Sequence, residues 1–215
     1  MAKMIKWVYK PFMAYPDTTE RIVYLLIFLF PIAGMSVRHW ISGVFTFLVL
    51  LSFLYPWKKE KPLAKEEKIL LWIFFAFFTV FLVSAFINGW TERQTKYLGV
   101  EIRYLFAIPL YLMIRRLPDA RLWILRGCVL GGFVLGGQAY YDSEILNYGY
   151  ATGIYSPNLI GPYAVLVIFW LIFSFKIMKG VMAFYYLVPL SAVFVLYTVI
   201  MSGSRGAYVG ALGIS

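Results

Sequence analysis

The 215-residue chain is poor in the residues that build most catalytic and metal centres. Charged residues make up 14% of it, and it contains one cysteine and one histidine. A single cysteine excludes an intramolecular disulfide, and the chain has no Cys/His metal cluster, HExxH motif, Walker glycine loop or GxSxG elbow. We therefore expect neither a metal nor a cofactor, and no chemistry that depends on those motifs.

Apolar residues, by contrast, dominate the composition. Hydrophobic residues make up 62% of the chain, and the mean hydropathy is +0.77. Both values are far outside the range of an ordinary soluble domain, and no polar interval is long enough for a separate soluble catalytic domain. We predict an all-α, polytopic transmembrane helix bundle in which residues 1–215 form a single transmembrane domain.

Repeated apolar segments set the expected topology. About seven spans are predicted: residues 22–37, 40–55 and 69–87, a fourth that ends at residue 114, and then 122–139, 159–175 and 181–201. An eighth apolar segment has only begun at Ser215. We therefore expect these residues to be the amino-terminal part of a longer chain.

Basic residues give the expected orientation in the membrane. Of the 20 lysines and arginines, 15 fall on one side of the predicted membrane and 5 on the other. Cytoplasmic loops carry the excess of lysine and arginine, so the amino terminus is predicted to be cytoplasmic. The formal net charge of +10 is spread over short loops, which favours contact with membrane lipid over binding to nucleic acid.

Three arginines on the cation-poor side are candidates for binding an anionic ligand. Arg205 lies on a break of small residues between two apolar segments, Arg103 lies inside the fourth span, and Arg38 follows the first span. Arg103 cannot pair with Glu101, because residues two apart point in different directions on a helix. Such arginines either line a polar cavity, where their planar forks suit phosphate or pyrophosphate, or snorkel to the interface, and spacing leaves both open.

The predicted outer loop, residues 140–158, and the fifth span carry further signals. Tyr148, Tyr150 and Tyr155 offer flat surfaces for sugar rings, or are ordinary interfacial tyrosines. Asp142 and Glu144 are candidate general bases, with solvated loop acids as the favoured interpretation. Four glycines of the fifth span have small-xxx-small spacing, which predicts close helix packing; they are Gly127, Gly131, Gly132 and Gly136.

Two segments together resemble the bacterial O-antigen ligase and O-antigen polymerase superfamily. The first is Gly149-Tyr-Ala-Thr-Gly-Ile-Tyr-Ser-Pro-Asn-Leu-Ile-Gly161, which enters one helix, and the second is Ser202-Gly-Ser-Arg-Gly-Ala207, which closes the next. The similarity covers about residues 149–210, while the earlier spans match the family in topology only. His39 does not match the family's proposed catalytic histidine and is expected to be an interfacial or structural residue.

The resemblance implies a C-type glycosyltransferase-like bundle in the bacterial inner membrane. Members move a glycan from undecaprenyl pyrophosphate to a periplasmic acceptor without a nucleotide sugar or a required metal. For a ligase, the acceptor is lipid A-core. By resemblance, Arg205 is the catalytic residue that engages the donor pyrophosphate, and Asn158 is the asparagine that opens the preceding helix. On their own chemistry, Arg38, Arg103 and Tyr155 are the further candidates for substrate binding. The family's general base would lie beyond Ser215.

Three other functions stay open from the sequence. An O-antigen polymerase of the same superfamily would use another lipid-linked repeat as acceptor. An anion or lipid-linked saccharide transporter would also use buried arginines and proline-interrupted spans, which occur here at Pro31, Pro109 and Pro189. A noncatalytic membrane scaffold is the third alternative.

Overall fold

The computed structural model describes residues 18–34, 36–54, 62–151, 157–177 and 182–204. Within these ranges it contains seven α-helices, one π-helical segment and no strand. The π-helical segment, Tyr141–Ile145, continues the fifth α-helix directly. The predicted all-helical class is confirmed. The α-helices are α1 (Thr18–Ala33), α2 (Trp40–Leu54), α3 (Lys65–Ile87), α4 (Glu92–Ile114), α5 (Ala120–Tyr140), α6 (Pro157–Ile177) and α7 (Met182–Ser202).

Four helical segments are long and apolar enough to cross a membrane, a layer that needs about 20 helical residues. They are Lys65–Ile87, Tyr97–Ile114, Ala120–Ile145 and Tyr185–Ser202. Helices α2 and α6 contribute shorter apolar stretches, Trp40–Phe53 and Asn158–Ser174. The chain therefore has the helices of a membrane protein, while the seven-span topology stays a prediction.

The chain divides into two compact units, with the boundary inside α2. The first unit comprises Met1–Val44 and Asp119–Ser215 and contains α1, α5, α6 and α7. The second unit, Phe45–Pro118, contains α3 and α4.

Helix α5 is the central element of the first unit, because α1, α6 and α7 all pack against it. Its glycines permit this close approach on two faces. A Cβ atom at Gly131 would lie 2.6 Å from the Pro31 carbonyl oxygen of α1, and one at Gly136 would lie 2.6 Å from the Phe194 Cβ of α7. The expectation that the glycine spacing marks a packing helix is confirmed.

The contacts of α5 also fix the relative directions of the helices in this unit. Gly127 lies against Phe28, and Gly131, one turn later, lies against Pro31, so α1 and α5 run parallel. Helix α7 is parallel to α5 as well. The Ser191 hydroxyl donates to the Val129 carbonyl at 2.8 Å, and further along both helices the hydroxyl oxygens of Tyr197 and Ser143 lie 3.1 Å apart. The carboxyl ends of α1, α5 and α7 therefore lie at one end of the unit.

An aromatic cluster packs α5 against α1 near the opposite end. The Trp123 ring is buried and lies 5.7 Å from the Phe28 ring in an edge-on arrangement. The Arg126 guanidinium lies over the same indole, 5.1 Å from its centre, a cation–π geometry. Arg126 is thus a buried residue of the helix interface.

The second unit is an antiparallel hairpin of α3 and α4. Thr91 caps α4: its hydroxyl accepts from the Gln94 amide, and the Gln94 side chain accepts from the Thr91 amide at 2.6 Å, a capping box. In the middle of the hairpin, the Phe77 and Tyr104 rings stack with centres 5.5 Å apart.

A charged cluster closes the open end of this hairpin. The Glu67 carboxylate accepts from the Arg115 Nε at 2.9 Å and from the Arg115 Nη2 at 2.7 Å. It also accepts from the Tyr111 hydroxyl at 2.8 Å and from the Ala64 amide at 2.8 Å. Bidentate arginine–carboxylate pairing is the strongest geometry for such a pair, so Glu67 joins the first turn of α3 to the last turn of α4.

Candidate functional site

The two segments that carry the family resemblance meet at one end of the first unit. The Ala151 amide, which belongs to the first segment, donates a hydrogen bond to the Met201 carbonyl at 2.7 Å. Met201 immediately precedes the second segment, and its carbonyl is one of the four that the end of α7 leaves without a helical partner. Ala151 is fully buried. The first segment is therefore held by a backbone hydrogen bond to the residue just before the second segment.

The break after α7 is shaped by a glycine and two serines. Helix α7 ends at Ser202, and Gly203 adopts a left-handed conformation with φ of 60°, which glycine adopts without steric cost. The Ser202 hydroxyl donates to the Val199 carbonyl at 2.7 Å and accepts from the Ser204 amide at 3.3 Å. Both serines are buried, so the chain leaves the helix along a fixed path.

Two of the predicted site residues, Arg205 and Tyr155, lie outside the described residues. The structure describes the chain up to Ser204, the residue before Arg205. Tyr155 precedes α6, which begins at Pro157. Asn158 lies in the first turn of this helix, and its side chain is exposed. The predicted roles of Arg205 and Tyr155 stay predictions.

Arg38 and Asn158 lie at the same end of the first unit. Tyr163, in the second turn of α6, donates from its hydroxyl to the Pro31 carbonyl of α1 at 3.1 Å. This bond places the start of α6 beside the end of α1, and Arg38 follows in the exposed turn between α1 and α2. An arginine and an amide side chain are thus exposed at the end where the resemblance segments meet.

Arg103 belongs to the second unit. It is an exposed residue of α4, inside the apolar segment Tyr97–Ile114, as the prediction of an intramembrane arginine requires. Glu101 is half-buried on the same helix. The membrane depth and ligand-binding role expected for Arg103 stay predictions.

Asp142 differs from its expected setting. The favoured interpretation was a solvated loop acid, but Asp142 lies in the π-helical segment and its side chain is only 2% exposed. Its carboxylate accepts from the Gln138 Nε2 at 2.7 Å. Glu144, two residues later, is exposed as expected. The helix continues past residue 140, and this continuation turns Asp142 inward.

Sequence reasoning missed this buried carboxylate, although one signal pointed to it. Gln138 and Asp142 are four residues apart, the spacing at which side chains meet on a helix. π-Helical turns are frequent at functional sites, so Asp142 joins the residues of interest at this end of the unit. Ser143 is buried beside it and lies 3.1 Å from the Tyr197 hydroxyl of α7.

The remaining sequence candidates are peripheral to these contacts. His39 lies exposed in the turn after α1, with φ of 61°. Tyr148 and Tyr150 are about half-exposed in the segment between the π-helical turn and Ala151, where their rings are accessible. Among the described residues, no three His, Cys, Asp or Glu side chains lie together as metal ligands would.

Comparison with known proteins adds no relative to this description: no protein-family model, curated protein or solved structure matches the chain.

Proposed function

We propose that this protein is an O-antigen ligase, a membrane glycosyltransferase that moves an O-antigen glycan from undecaprenyl pyrophosphate to lipid A-core. The observation that carries the proposal is the Ala151–Met201 hydrogen bond, which links the first resemblance segment to the residue just before the second. In the sequence these segments are separated by residues 162–201, so a common family site requires the chain to bring them close together.

The composition of this end of the unit suits a lipid-linked pyrophosphate. It presents an exposed arginine, Arg38, and an exposed amide, Asn158, next to helices that are otherwise apolar. A polyprenyl tail would stay dissolved in the hydrocarbon while its charged head lies at the boundary. The proposed location of this end is the periplasmic face of the bacterial inner membrane.

The proposed reaction is an inverting displacement at the anomeric carbon of the donor sugar. A hydroxyl oxygen of the acceptor forms the new bond to that carbon, and the bond from the carbon to the pyrophosphate oxygen breaks. Undecaprenyl pyrophosphate leaves with the electron pair, and the hydroxyl proton passes to a general base. Arg205 stabilises the charge that develops on the leaving oxygens, with Arg38 in a supporting role, because a guanidinium donates paired hydrogen bonds and stays protonated.

The test is complementation of a deletion strain with Arg205→Ala and Arg205→Lys. Losing one preorganised donor costs about a hundredfold in rate, and lysine keeps the charge but loses the fork. Both variants are expected to leave O-antigen unattached. Arg121→Ala is the matched control, because Arg121 is an exposed arginine at the start of α5. Normal attachment by well-expressed Arg205→Ala protein would remove Arg205 from the mechanism.

The same strain separates the alternatives. Loss of a ligase leaves unattached polymer, whereas loss of a polymerase leaves a single attached repeat. For a transporter, the purified protein would form no glycosidic bond between a lipid-linked glycan and lipid A-core. A covalent product that depends on Arg205 therefore supports a glycosyltransferase over both a transporter and a scaffold.

A further inference from the structure

The second unit contains an apolar groove between α3 and α4, near the end that Glu67 closes. Its volume is about 420 Å³, within the size range of small-molecule sites. One basic residue and five apolar residues line it: Leu63, Lys68, Leu71, Trp72, Phe75 and Ile108. The Glu67–Arg115 cluster described above takes no part in the lining.

The groove runs from a helix end into the apolar body of the hairpin. Lys68, Trp72 and Phe75 are spaced four and three residues apart, so they share one face of α3. At ~1.5 Å per residue, Phe75 lies about 10 Å further along the helix than Lys68. Helix α3 is also the most apolar of the four candidate membrane-spanning segments. The groove is therefore charged at the Lys68 end, which we call its mouth, and apolar along the rest of its length.

The charge at the mouth is positive. Glu67, the acid beside Lys68 in sequence, directs both carboxylate oxygens to Arg115, Tyr111 and Ala64. Within the described ranges no carboxylate forms an ion pair with the Lys68 ammonium. The amino end of α3 adds a partial positive charge. An occupant of the groove would thus need a long apolar part and an anionic head.

We propose that this groove binds an anionic phospholipid, with one acyl chain against Trp72, Phe75 and Ile108 and the phosphate on Lys68. The charge of the mouth favours an anionic over a zwitterionic headgroup, and the chemistry is that of a basic residue at a membrane surface. This inference is independent of the proposed transferase function. It concerns the unit that contains α3 and α4, whereas the two resemblance segments belong to the other unit.

The test uses the purified full chain in phosphatidylcholine vesicles that contain either brominated phosphatidylglycerol or brominated phosphatidylcholine. Bromine quenches nearby indole fluorescence, and the contribution of Trp72 is the difference between the wild-type protein and Trp72→Phe. Trp72 is 68% exposed and lines the groove, so a bound chain would contact it. We expect brominated phosphatidylglycerol to quench Trp72 about fivefold more than brominated phosphatidylcholine. One basic residue at a membrane surface gives an anionic lipid a preference of about this size.

Lys68→Gln should abolish that preference, and Lys65→Gln should retain it. Both substitutions remove one positive charge from the first turn of α3, but only Lys68 lines the groove. Ile108→Phe, which fills the groove from α4 without adding an indole, should reduce Trp72 quenching by both brominated lipids. Equal quenching by the two lipids in the wild-type protein, or equal effects of the two lysine substitutions, would overturn the proposal.

Discussion

Gly131 of α5 lies so close to Pro31 of α1 that an added Cβ atom would stand 2.6 Å from the Pro31 carbonyl oxygen. A backbone carbonyl cannot rotate away as a flexible side chain can, so the two helices would have to separate. Helices in lipid associate largely through such close backbone packing, since lipid is as apolar as their side chains. The first unit therefore depends on the absence of a side chain at this position.

Gly131→Ala should destabilise the protein by about 1–3 kcal/mol, the usual cost of overpacking. Gly137→Ala on the same helix is the matched control, because no atom lies within 4 Å of its added Cβ. The control should be neutral or stabilise by up to about 1 kcal/mol, since alanine favours helix over glycine. Denaturant unfolding in detergent micelles measures both. Equal stabilities for the two variants would contradict the packing account.

Asp142→Ala should cost about 1–3 kcal/mol, because it removes the acceptor of the Gln138 hydrogen bond at a buried position. Asp142→Asn retains a side-chain oxygen in the same place and should cost much less. Thermal unfolding of the two variants gives the comparison. If asparagine were as harmful as alanine, the carboxylate charge, and not the hydrogen bond, would be the stabilising feature.

Glu67→Gln should lower the unfolding midpoint more than Glu66→Gln. Glu67 accepts two bonds from Arg115, whereas Glu66 is exposed on the same turn. The two substitutions remove the same charge, so their difference reports the pairing. Because the pair is partly exposed, the difference should shrink at high salt. Unfolding followed by circular dichroism at low and high salt tests this, and a salt-independent difference would argue against an electrostatic origin.

Membrane orientation is open to a labelling experiment. With a cytoplasmic amino terminus, a cysteine at Tyr148 should react with an impermeant maleimide added to spheroplasts, and one at Ala64 should react only after lysis. Both positions are exposed, and the native Cys128 is buried and serves as an unreactive background. Labelling of Ala64→Cys in intact spheroplasts would reverse the predicted orientation.

Local sequence features predicted the elements well. Apolar runs located the seven α-helices of the described residues, because the cost of placing polar groups in hydrocarbon acts on each segment separately. The glycines of α5 identified a packing helix, and the small residues after Met201 identified the end of α7, where Gly203 adopts a left-handed conformation. Asp142 was misjudged because the boundary of α5 was placed too early, and a shift of a few residues exchanges the buried and exposed faces of a helix.

The sequence by itself determined that this is a helical membrane protein with a polar break after α7, since both follow from the transfer energies and backbone freedom of neighbouring residues. Only the tertiary structure decided that Ala151 bonds Met201, that Arg115 pairs with Glu67, and that Lys68 opens an apolar groove. These contacts join residues about 40–50 positions apart. Short-range periodicity carries no information on such pairs, because they depend on how whole helices pack.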